Sequence, residues 1–146
     1  MVKARTKRPS GRLRRLTIDE AVLAVLLAAM DANQHVSREE AARAHHIIWS
    51  MRRFRERAGE AVGRLIDRVR ERMEKAGTEA VLDEAVRVLP ARLRPPAFAV
   101  AVDLMLADAR LERAERQFVT KLAGLLKIRP DTADDIVRGM LVKNGA

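Results

Sequence analysis

The 146 residues carry a formal net charge of +9, with no cysteine, one Trp, three Phe and no Tyr. Disulfides, thiolate zinc sites and thiol catalysis are therefore excluded, and a vocabulary rich in Ala, Leu, Arg, Glu and Val favours helices over strands. The reading is one all-α domain, long enough to bury about two-thirds of its unfolded surface.

The charge is unevenly placed. Residues 1–15, "MVKARTKRPSGRLRR", hold seven of the 29 basic residues and none of the 20 acids, so residues 16–146 are left almost neutral. This divides the chain into a flexible basic tail, 1–15, and a helical domain, 16–146. The tail has little apolar surface to bury, and its polycation character suits a phosphate-rich or otherwise anionic partner. Lys3, Arg5, Lys7, Arg8, Arg12, Arg14 and Arg15 are its candidate anion-binding residues. The other reading of the same residues is a solubilising terminus.

The apolar run "AVLAVLLAAM" (21–30) follows Asp19 and Glu20, which separates it from the basic start. It is too short to span a bilayer, and its expected role is a core helix of a cytoplasmic protein. Helices are expected near 17–31, 37–57, 59–76, 78–89, 95–107, 112–126 and 131–142, seven in all. Thr17 with Glu20 and Ser37 with Glu40 fit the capping box, Thr78 and Asp131 are expected caps, and Pro95-Pro96 suits a first helical turn. Residues 21–30, and 97–107 apart from Asp103, are apolar nearly all round, as the centre of a bundle requires. In 112–126, Phe118, Leu122, Leu125 and Leu126 make one apolar stripe.

Shifting the chain by 75 residues lays 23–48 on 98–123. Ala24, Val25, Met30, Ala32, Arg38 and Glu40 then meet Ala99, Val100, Met105, Ala107, Arg113 and Glu115. A helix–turn–helix used twice about a pseudo-dyad accounts for this pattern.

The two turn segments read "ANQHVSREE" (32–40) and "ADARLERAE" (107–115). An apolar helix ending Ala-Asp-Gly-x-Val-(Ser)-x-x-Glu, present twice at this separation, resembles the tellurite resistance protein TerB and its relatives. The resemblance covers about residues 17–128. It implies a compact seven-helix bacterial cytoplasmic domain, linked to tellurite or other chemical stress, that assembles with protein partners. It also implies that the acids at the two turns are candidate ligands for calcium or another divalent cation. Here Asn33 replaces the first turn's Asp, and Gln34 and Ala109 replace the two glycines.

If the turns meet, Asp31, Asn33, Glu40, Asp103, Asp108, Glu112 and Glu115 are the oxygen donors available to such an ion. The stretch 31–42 is not an EF-hand, since Val36 and Ala42 stand where its glycine and bidentate glutamate belong. The competing reading makes Glu40 and Glu115 helix caps. Asp103, alone in "AFAVAVDLMLA", needs solvent, a metal or a basic partner, for which an arginine of 37–57 or 59–76 is the expectation.

His45 and His46 are adjacent and point in different directions on a helix, and no nucleophile–base–orienter set can be assembled. The expected protein is not an enzyme. "MRRFRER" (51–57) supplies Arg52, Arg53 and Arg55 as further anion-binding candidates, although interleaved acids also suit an ion-paired face. The leading expectation is a stress-response interaction module, with its tail on an anionic partner or the inner face of the membrane. The alternative is a small nucleic-acid-associated protein binding phosphate through tail and "MRRFRER" together.

Overall fold

The computed structural model describes residues 14–32, 38–57, 59–106 and 113–145. Among them it holds eight α-helices, no strand, and one 3₁₀ turn at Ala91–Leu93. The helices are α1 (Ile18–Ala32), α2 (Arg38–Ser50), α3 (Arg52–Arg55), α4 (Gly59–Ala76), α5 (Thr78–Val88), α6 (Arg94–Met105), α7 (Arg113–Leu125) and α8 (Pro130–Gly145). The all-α expectation holds for the described residues.

α1 is the axis of the molecule. Residues 20–29 are all buried, which is why its sequence is apolar on every face. It packs against α4, α5, α6 and α7. The second apolar helix, α6, lies beside it and buries Phe98, Ala101, Val102 and Met105. Around this pair, α4 presents a single stripe, Val62, Leu65, Val69 and Met73, at the spacing of a half-wrapped helix. Leu122 and Leu126 close the core from the α7 side, with Phe118 and Leu125 half-buried beside them.

The start of α1 follows the sequence. The Thr17 hydroxyl accepts from the Glu20 amide at 3.1 Å, and Glu20 Oε1 accepts from the Thr17 amide at 2.9 Å. The Ser37–Glu40 box lies outside the described residues. Pro95 and Pro96 occupy the first turn of α6, as expected.

Other boundaries differ. The predicted helix 37–57 is two helices, because the chain turns extended at Met51 (ψ 130°) before α3 begins. The change of direction buries Phe54 completely. An unbroken helix would set Phe54 roughly 120° around the axis from Ile48, so the two would not share one core-facing stripe. The cap of α5 is Gly77, at φ 93°, rather than Thr78, which is already helical. Asp131 lies inside α8, where its Oδ1 accepts from the Thr132 amide, and α8 runs past 142 to Gly145. The α7–α8 joint closes as a Schellman turn: Ile128 N donates to Ala123 O, with Lys127 left-handed at φ 56°.

Candidate functional site

The expected cation ligands do not converge among the described residues. Asp31, at the exposed end of α1, receives Arg70 Nη1 from α4 at 2.8 and 2.9 Å. Asp103 is buried in α6, and the partners it has among the described residues lie on α8 rather than being an arginine of α3 or α4. Lys143 Nζ reaches both its oxygens at 3.2 Å, and Asn144 Nδ2 donates to Oδ1 at 2.8 Å. The reason lies in the packing: α8 lies against α6 and brings its last turn to the one carboxylate there. Glu115 is buried in α7. No group of three or more His, Cys, Asp or Glu arranged for a metal occurs among the described residues, so Asp31, Asp103 and Glu115 do not share one centre. Asn33, Asp108, Glu112 and the side chain of Glu40 lie outside the described residues.

An unexpected carboxylate organises the other end of α1. Glu20 is buried and accepts two hydrogen bonds from Arg14, at 3.0 and 3.1 Å, and one from Arg68 Nε at 3.2 Å. Burial alone would raise its pKa. The Arg14 bond, the Thr17 amide, the Arg14 charge and the Arg68 bond overcome burial and hold the carboxyl at about 2. The sequence revealed its capping role but not its two arginines.

The basic candidates divide into committed and uncommitted groups. Arg14 is bound to Glu20. Arg53 Nε lies 3.0 Å from Asp19 Oδ1, an ion pair without hydrogen-bond alignment, and Arg57 also pairs with Asp19. Arg15, Arg52 and Arg55 are exposed and form no ion pair among the described residues. Lys3, Arg5, Lys7, Arg8 and Arg12 lie outside the described residues.

α3 and the 3₁₀ turn contribute Arg52 and Arg92 to the lining of one groove of about 540 Å³. Val22, Met51, Leu93, Pro96 and Arg53 complete the lining. No acid is among its described lining residues. Arg92 was not singled out in the sequence because it lies 40 residues from Arg52, and only the fold makes them neighbours. A lining of arginines and apolar side chains suits an anionic group carried on an apolar body.

The Ser50 hydroxyl donates to Ile47 O at 2.5 Å, and His45 and His46 are exposed on α2. Trp49 is half-buried against the core. None of the described helices is long and apolar enough to cross a membrane.

The family model described as "Tellurite resistance protein TerB" matches residues 19–137, most of the chain. No curated protein and no solved structure gave a match.

Proposed function

Because the chain belongs to the family of the tellurite resistance protein TerB, we propose that it is a non-enzymatic interaction module of the response to tellurite or other chemical stress. Its partner is an acidic protein segment with an apolar anchor residue, bound in the arginine groove. One observation carries this reading: Arg52 and Arg92, from separate elements and without ion pairs among the described residues, line one groove together with Val22, Met51, Leu93 and Pro96, and no acid is among its described lining residues. The basic tail, Lys3 to Arg12, adds long-range attraction and steers the encounter, at the inner face of the membrane or at the partner itself.

The groove favours an acidic peptide over nucleic acid. Asp19 is shared by Arg53 and Arg57 and offsets one of their two positive charges, which weakens the pull of 52–57 on a phosphate backbone. Nucleic-acid recognition also draws on stacking aromatics, and the groove has none.

The acidic turns are the second part of the proposal. Asp31 and Asp103 already hold basic partners, which leaves Asn33, Glu40, Asp108, Glu112 and Glu115 as the donors proposed for a cation-sensing site. The duplicated helix–turn–helix gives these turns a common origin. Reciprocal packing supports the duplication: α1 touches α7 of the second unit, and α6 touches α2 of the first.

The test is fluorescence anisotropy with a labelled peptide of glutamates around one leucine, against a 20-base-pair duplex. The full chain should bind the peptide, and Arg52→Glu with Arg92→Glu should weaken it at least tenfold, which is about 1.4 kcal/mol. Tighter binding to the duplex, unaffected by Arg92→Glu, would favour the nucleic-acid reading instead. Saturable heat on calcium titration, lost in Asp108→Asn with Glu112→Gln, would support the cation site. No heat at millimolar calcium would remove it.

A further inference from the structure

On another part of the surface, Arg15 and Leu16 roof a cleft of about 560 Å³ between α4 and α5. Its charged lining is Arg15, Arg72, Arg87 and Glu84; Leu16, Val81 and Val88 contribute apolar wall. Glu84 is already in use. Both its oxygens accept from Arg72 Nη2, at 2.9 and 3.0 Å, and Oε2 also accepts from the Leu16 amide at 3.0 Å. Arg15 and Arg87 are exposed and have no ion-pair partner among the described residues.

We propose that this cleft is a binding site for a small phosphate monoester with a short apolar body. The charge count selects the headgroup. Three arginines against one glutamate leave two positive charges, and a phosphate monoester carries about −1.5 to −2 near pH 7. A monocarboxylate would leave one cation unmatched. The three oxygens of a phosphate reach Arg15 and Arg87 together, and Glu84 engages Arg72 through Nη2 alone, which leaves its other donors free to turn towards the ligand. Leu16, Val81 and Val88 receive the organic body, which inorganic phosphate lacks.

Binding is coupled to the anchoring of the chain's first described segment. Glu20 holds that segment through Arg14, and Glu84 holds it through the Leu16 amide. A ligand bridging Arg15 to Arg87 ties the same segment to α5, so occupancy and docking of the segment strengthen each other.

Calorimetry on the full chain with hexyl phosphate, inorganic phosphate and hexanoate tests the assignment, alongside Arg15→Gln, Arg87→Gln and, as a control in the other groove, Arg92→Gln. Hexyl phosphate should bind most tightly and weaken several-fold from pH 7.5 to 5.5 as it gains a proton. Arg15→Gln and Arg87→Gln should each weaken it at least tenfold, Arg92→Gln should leave it unchanged, and hydrogen exchange at Leu16 should slow on binding. Equal affinity for the three anions would overturn the site, as would affinity retained in both cleft variants or no saturable heat at millimolar hexyl phosphate. Binding only to vesicles containing phosphatidic acid, with none to the soluble ester, would also overturn it. All three variants change exposed side chains, so unchanged far-UV circular dichroism is expected. The outcome is independent of the peptide groove, which Arg92→Gln reports separately.

Discussion

Glu20 shows how much one side chain can organise. Its folded pKa of about 2, against 4.5 unfolded, means that the unfolded chain binds the proton first as pH falls. The carboxylate therefore contributes stability that is fully present above about pH 4.5 and is lost progressively down to about pH 2. Glu20→Gln keeps an acceptor for the Thr17 amide but loses the charge facing Arg14 and Arg68. It should cost about 2–3 kcal/mol at pH 7 by urea unfolding, with the gap to the parent protein narrowing by pH 3. A gap of equal size at both pH values would mean that shape, not charge, is what Glu20 supplies. The capping box was legible because its residues are three apart; Arg68 was not, because it lies 48 residues away. Asp103 teaches the same lesson. Its need for a partner followed from its apolar surroundings, but its partners, Lys143 and Asn144, follow only from the docking of α8.

At the level of elements, periodicity located the helices and misjudged some of their joints. α1, α4 and α6 lie close to their predicted spans, since an apolar run, a clean stripe and a proline pair are strong local signals. The break at Met51 carries no glycine or proline. It is set by the need to bury Phe54 and Ile48 together, a requirement of the tertiary core. The joint between α4 and α5 depends on the backbone of Gly77. Its φ of 93° with ψ 146° belongs to glycine, while a Cβ built there would meet nothing within 4 Å. Gly77→Ala should therefore destabilise by about 1–3 kcal/mol through backbone strain alone. Gly63, inside α4 and equally open, should do the reverse: Gly63→Ala should stabilise by about 0.5–1 kcal/mol. Thermal unfolding of the two variants checks both signs. Stabilisation by Gly77→Ala would refute the assigned turn.

For the molecule as a whole, the sequence conveyed the family through two turn segments, and it conveyed the uneven distribution of charge. It did not show which arginines remain free. Among the candidates, Arg14 is paired with Glu20 and Arg53 with Asp19, while folding places Arg92 in one groove with Arg52 from outside the "MRRFRER" stretch. The acids were legible as residues but not as a site, because whether seven donors converge depends on the approach of two turns far apart in the chain. The central claim is that an acidic partner is read by the groove between α3 and the 3₁₀ turn. The most direct measurement is a ¹⁵N-resolved NMR titration of the full chain with the glutamate–leucine peptide. The account predicts shifts that saturate together at Val22, Met51, Arg52, Arg92 and Leu93. Shifts confined to the basic tail, or centred on Arg15 and Arg87, would contradict it.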